Sequence, residues 1–174
     1  MVMHPFDYVV SETERQSGTM REALGMFYAL QMFSNRWKQG FRMNASLILS
    51  AIESINGITA HRQVPAVFNQ GTPAVPPGAQ LERAMERWYD LINSSQVDSA
   101  SRDALFDDAR EIADYVTREF LLIHPFADGN GRVGSLVWNF LNGTILNPEP
   151  MPYFFGEQPH ELTEADHLVL EGKE

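Results

Sequence analysis

The chain is 174 residues long and carries 13 Lys plus Arg against 23 Asp plus Glu, no Cys, and a formal charge of −10. One domain with a full core fits this length and the 44% hydrophobic content, whereas disorder, fibrous architecture and disulfide or thiolate chemistry do not. The acidic balance argues against nucleic acid as a partner, and no apolar run approaches the roughly 20 residues that a membrane span requires.

The opening MVMHPFDYVV lacks the basic region and long apolar stretch of a signal peptide, so a cytoplasmic protein is expected, or one delivered from the cytoplasm into another cell. Met20, Leu24, Phe27 and Leu30 fall on one helical stripe, which predicts an amphipathic helix over 20–34. Asn44 can cap a second helix through Leu47, Ile48, Ala51, Ile52 and Ile55, with Gly57 as its stop. Residues 58–71 change character: Thr59, Val64, Val67 and Phe68 with a Pro and a terminal Gly suggest a short β-hairpin or extended flap, followed by a rigid turn at Pro76-Pro77-Gly78.

Helix returns over 80–93, with Leu81, Met85, Trp88 and Leu91/Ile92 facing inward, and a polar loop follows over 94–101. Ser101 or Asp103 can cap a long helix carrying Leu105, Ala109, Ile112, Val116 and Phe120, which must end near Ile123 because Pro125 disfavours helical geometry at His124. A turn over 124–131 leads into a helix over 132–142, stopped by Gly143. Residues 144–155 read as irregular cover, and 161–170 as a final short helix. The expectation is one mostly α domain over 1–174, a helical bundle with a small β-hairpin flap and a core at 44–143.

The chemistry concentrates in His124-Pro125-Phe126-Ala127-Asp128-Gly129-Asn130-Gly131-Arg132. Two Gly flanking Asn130 give the backbone positive-φ freedom, and the helix that follows leaves N–H groups unpaired at the positive end of its dipole, an anion pocket. Arg132 adds a guanidinium fork suited to phosphate oxygens. Asp128 beside a phosphate site is placed to hold Mg²⁺, which favours one or two carboxylates plus substrate phosphates. His124 can accept a proton near neutral pH and activate a hydroxyl. Lys38 and Lys173, the sole lysines, lie outside any GxxxxGK[ST] context, so this is no P-loop.

This stretch resembles the signature of the Fic family, HxFx[DE]GNGRxxR, and reproduces it from His124 through Arg132. The flap-like segment 61–69, the Pro76-Pro77 turn and the helices carrying Trp88 and Phe120 extend the resemblance over about residues 44–143. The family is mostly helical, and many members transfer AMP from ATP to a Ser, Thr or Tyr hydroxyl of a target protein. The resemblance implies His124 as general base, Asp128 as Mg²⁺ ligand, Gly129, Asn130 and Gly131 as anion hole, Arg132 on the leaving phosphates and Phe126 as core anchor. It also implies that the flap aligns a target peptide by strand-like pairing, which places the docking edge at Val64, Val67 and Phe68.

The second Arg of the signature is Ser135 here. Helical spacing puts Ser135 on the face of Arg132, where it can donate one neutral hydrogen bond but cannot offset a triphosphate's charge. Asn139, one turn on, is a further candidate for nucleotide contact. In the family the missing Arg grips the terminal phosphate and pairs with an inhibitory Glu in the motif [ST]xxxE[GN]. The nearest match, His167 to Glu171-Gly172, has His for Ser or Thr and is read as chance, leaving room for a separate inhibitory protein. Arg62 is read as a surface charge or a supplement to the phosphate site, and His4-Pro5-Phe6-Asp7 as a coincidental echo of the signature. The leading expectation is a protein adenylyltransferase. A transferase using another nucleotide or diphosphate donor, and a non-catalytic module of the same fold, are the alternatives.

Overall fold

A computed structural model describes residues 4–68, 71–95, 109–152 and 160–161. Helices dominate: α1 (Pro5–Arg15), α2 (Met20–Lys38), α3 (Ala45–Asn56), α4 (Ala79–Ser95), α5 (Ala109–Ile123) and α6 (Asn130–Asn142), with two short strands, β1 (Ala66–Val67) and β2 (His160–Glu161). None of the described helices is long and apolar enough to cross a membrane.

α6 is the axis of the fold, buried from Asn130 to Leu141, with α5 and α2 packed along it and α3 against its start. α4 lies on α5, where Trp88 stacks at 4.8 Å from Phe120 and its indole N–H donates to the Val116 carbonyl at 2.9 Å. Phe33 and Trp37 of α2 meet Phe140 edge-on, and Phe126 is fully buried beside Phe120. Burying each of these large apolar side chains contributes about 1.5–3 kcal/mol. α2 and α3 approach so closely at Gly25 that a Cβ there would overlap the Ser54 carbonyl, and Ser54 Oγ donates back to the Gly25 carbonyl at 2.7 Å.

Where local chemistry governs, element ends fall as the sequence predicts. Asn44 accepts the Leu47 N–H at 2.9 Å, Gly57 closes α3 at φ +71°, and Gly143 closes α6 at φ +81°. α6 begins two residues earlier than expected, at Asn130, and α2 runs on to Lys38.

Four expectations are corrected. α1 is an unforeseen helix: His4 Nδ1 accepts the Phe6 N–H, Pro5 occupies the first turn and Asp7 favours the dipole, so the echo His4-Pro5-Phe6-Asp7 is a helix start. The inward face of α2 is Ala23, Met26, Ala29, Leu30 and Phe33, whereas Met20 and Leu24 of the predicted stripe are more than half exposed. Apolar residues surround most of α2, so a 3.6-residue period alone does not select the buried side. The flap is a short hairpin, but it closes beyond residue 71, where it was expected to end: Val67 bridges Pro73, the Phe68 N–H donates to the Thr72 carbonyl and the Ala74 N–H to the Ala66 carbonyl, while β1 pairs antiparallel with β2 (Ala66 with Glu161, Val67 with His160). Glu161 is thus in a strand where a helix was expected. The remainder of that predicted helix, the start of α5 with Ser101, Asp103 and Leu105, and the stretch from His167 to Gly172 lie outside the described residues.

Candidate active site

The turn between α5 and α6 gathers the signature. His124 continues the last turn of α5, its N–H donating to the Phe120 carbonyl at 3.0 Å, then reverses the chain at φ +52°. Asn130 holds the loop closed: its Oδ1 accepts the Phe126 N–H at 3.0 Å and its Nδ2 donates to the Phe126 carbonyl at 2.7 Å. Those two bonds fix the orientation of the amide, so Nδ2 also faces His124 Nε2, at 3.3 Å, as a donor, and Nε2 is the acceptor nitrogen of the ring. Nδ1 is buried without a hydrogen-bond partner. Desolvation by burial, seconded by the nearby Arg62 cation, lowers the His124 pKa to about 3.

Gly129, at φ +85°, is the N-cap of α6, and no side chain caps that end. A Cβ there would collide with Asn56 and Ile52, so glycine is needed for both conformation and space. The first N–H groups of α6 thus remain for an anion. Asp128 stands out from the turn, 64% exposed at its side chain; its Oδ1 accepts the Gly129 N–H at 2.8 Å and its Oδ2 accepts from Asn56 Nδ2 at 3.0 Å. No cluster of three metal-ligating side chains exists among the described residues. One exposed carboxylate beside an anion pocket does fit Mg²⁺, whose remaining ligands are normally phosphates and water.

Arg132 is 1% exposed and lies between two carboxylates, Glu22 at 3.5 Å from Nη1 and Asp128 at 3.4 Å from Nη2. Its Nε and Nη1 are buried with no hydrogen-bond partner, which is costly in a folded interior and suits an acceptor-rich ligand. Although burial opposes it, the Thr19 N–H and Arg132 together hold the Glu22 carboxyl below its ordinary range. The α1–α2 turn closes over this end. A Cβ on Gly131 would come within 2.9 Å of Gln16 Nε2, and one on Gly18 within 2.9 Å of Arg132 Nη1.

Ser135 and Asn139 face α1. Tyr8, fully buried, hydrogen-bonds through its hydroxyl to Ser135 Oγ and accepts from Asn139 Nδ2 at 3.2 Å; Asn139 also reaches the Glu149 carbonyl at 3.0 Å. A neutral polar cluster therefore stands where the signature has its second Arg. Among flap residues, Val64 is exposed, Val67 is buried, and Phe68 is half-buried. Arg62 is neither on the surface nor at the phosphate site: it is 3% exposed and spends its donors on backbone carbonyls. A groove of about 660 Å³ between α4 and α5, lined by Trp88, Leu91, Tyr115, Leu122, Arg83 and Arg87, holds none of the signature residues.

Sequence reasoning did not single out Tyr8, Gln16, Glu22 or Asn56. For Glu22 a signal existed, since Thr19-x-x-Glu22 is a capping box, and both of its bonds are present. The other three reach the site only through packing.

The central helix of a helical domain opens on a glycine-flanked, uncapped N-terminus, with a buried His and Arg and an exposed Asp around it. The Fic/DOC family model matches residues 41–141, more than half of the chain, and the protein belongs to this family. A search of curated proteins finds no match.

Proposed function

We propose that the protein is a protein adenylyltransferase, moving AMP from Mg-ATP to a Ser, Thr or Tyr hydroxyl of a target protein. The observation that carries this reading is the convergence of His124, Asp128, Asn130 and Arg132 on one open helix N-terminus. In the transfer the hydroxyl oxygen bonds to the α-phosphorus, the bond to pyrophosphate breaks, and the hydroxyl proton passes to Nε2 of His124. To take it, Nε2 must exchange the Asn130 Nδ2–H that it accepts in the free protein for the hydroxyl, and an arriving phosphoanion raises the imidazole's proton affinity above that of the free protein. The N–H groups at the start of α6 and the Arg132 guanidinium, drawn from its ion pairs with Glu22 and Asp128, receive phosphate oxygens. Asp128 would hold Mg²⁺, which when bound neutralises phosphate charge.

Val67 is paired on both sides, with Pro73 and with His160, and the Phe68 N–H is spent on the Thr72 carbonyl, so of the three expected docking residues the exposed Val64 is the one left for a target to meet. A separate inhibitory protein fits this reading, because the described residues contain no [ST]xxxE[GN] motif. The test is incubation of the full chain with labelled ATP, Mg²⁺ and cytosolic extract. A labelled protein band is expected, absent with His124→Ala; no band, or one that persists in the variant, overturns the reading.

A second reading keeps the site and changes the donor. The neutral Tyr8–Ser135–Asn139 cluster favours it, since no second guanidinium is present to take a terminal phosphate. A donor panel read by intact mass separates the two: a productive nucleoside diphosphate conjugate supports this version, and ATP as the one productive donor rejects it. Mg²⁺-independent nucleotide binding with no transfer from any donor would instead indicate a non-catalytic module.

A further inference from the structure

Arg62 enters the interior at the root of the flap, and among the described residues no carboxylate forms an ion pair with it. Its partners are main-chain oxygens. Nε donates to the His124 carbonyl, Nη2 to the Ile123 carbonyl at 3.1 Å, and its own N–H to the Pro125 carbonyl at 2.8 Å. Three consecutive carbonyls of the catalytic turn are thereby held by one residue. Two of them belong to the end of α5, where carbonyls have no intrahelical partner and the helix dipole is negative, so a guanidinium fork there is well matched.

The remaining bonds run to the flap. Nη1 donates to the Val64 carbonyl at 2.9 Å and Nη2 to the Val75 carbonyl. Val64 and Val75 are the two feet of the flap, on either side of β1 and the Val67–Pro73 bridge. His124 needs such support: it adopts φ +52° without being glycine, a backbone state that persists only where its surroundings over-determine it.

We infer that Arg62 is the positioning residue of His124, a single guanidinium that fastens both feet of the flap to the peptide of the base itself. Resting on the reading of His124 as base and of the flap as docking edge, this makes target alignment and base alignment one mechanical unit. A hydroxyl held at the flap is registered against the imidazole through the bonds of that one buried guanidinium. Lysine cannot replace Arg62, because one ammonium does not span four carbonyls arranged on two segments.

The test is amide hydrogen exchange on the full chain with wild type, Arg62→Lys and Arg62→Gln. Ala74 reports the flap, its N–H bonded to the Ala66 carbonyl, and Phe126 reports the turn, its N–H bonded to Asn130. Met26 in α2 and Ile52 in α3 are the references. Arg62→Gln is expected to speed exchange at Ala74 and Phe126 together by at least about tenfold, with the references within about twofold. The His124 ring resonance, identified by its loss in His124→Gln, is expected to shift. Arg62→Lys gives a smaller rise at both reporters. No change at either reporter, a rise at one alone, or an equal rise at all four positions in both variants overturns the inference, the last because it marks a general core residue. No nucleotide or target enters this measurement, so its failure is distinct from failure of the transferase reading, which the labelling experiment decides.

Discussion

The two ends of the candidate site are built in different ways. At the His124 end, His124, Asp128, the uncapped helix start and Arg132 come from nine consecutive residues, and Asn130 stitches the loop to itself over a span of four residues. At the Ser135 end, the environment is made by Tyr8, 127 residues away in sequence, whose hydroxyl bonds both Ser135 and Asn139. The first end is a local motif that folds as a unit. The second is a tertiary contact, and its chemistry belongs to α1 as much as to α6.

This difference decides what Ser135→Arg would do. With Ser135 fully buried against Tyr8, an introduced guanidinium meets α1 rather than a nucleotide. Burying it unpaired is expected to lower unfolding free energy by about 3–5 kcal/mol, measured by urea denaturation. Tyr8→Ala in the same chain should recover part of the loss by opening space. If Ser135→Arg is instead neutral in stability and tightens ATP binding, the two ends are not separated in the way described, and α1 yields easily.

The His124 end has its own breaking point in Asn130. Asn130→Ala removes both bonds to Phe126 that keep the turn closed beneath His124, together with the donor to Nε2. Transfer activity is expected to fall by about 100-fold, the lower range of what a positioned general base contributes, while circular dichroism keeps its helical signal. Retention of activity would show that His124 is held without Asn130.

Tyr8→Phe probes the distant end more gently. It deletes one hydroxyl and leaves Ser135 Oγ and Asn139 Nδ2 short of a partner in the interior. Leaving such groups unsatisfied costs about 1–3 kcal/mol, so a lower thermal midpoint is expected, with the His124 ring resonance unchanged. A shift of that resonance would show the two ends to be coupled.

Legibility follows the same division. α3 could be read from end to end because Asn44 and Gly57 act on their immediate neighbours. Asp128, Asn130 and Arg132 were legible for a similar reason, their mutual geometry being fixed by a helix start. α1 was not, since its apolar residues Phe6, Tyr8, Val9 and Val10 crowd into one short run without a helical period, and the fold buries Tyr8 and Val9 together with the polar Glu12 and Thr13. Nor was the true face of α2, or the role of Arg62, whose acceptors lie on two segments brought together by the fold. The pairing of β1 with β2 is likewise non-local, and with the Val67–Pro73 bridge on the other side it leaves neither edge of β1 open to the target strand expected there.

The smallest expected effect isolates the environment of His124. Its pKa is depressed from 6.5 to about 3 by burial first and by Arg62 second. The unfolded chain therefore binds a proton at this residue below about pH 6.5 while the folded chain does not, until pH approaches 3. The stability associated with a neutral His124 is complete above pH 6.5 and is lost progressively as pH falls from 6.5 toward 3. At pH 5.5 the loss from this one group is about 1.4 kcal/mol, one pKa unit below the unfolded value. Urea unfolding at pH 7.5 and 5.5 measures it, with His124→Gln as reference, because that variant keeps the turn but cannot titrate there. Wild type should lose more stability than His124→Gln between the two pH values. Equal losses would mean that the imidazole takes up its proton in the folded state as readily as in the unfolded chain, and that this end of the site is as open to water as Asp128 beside it.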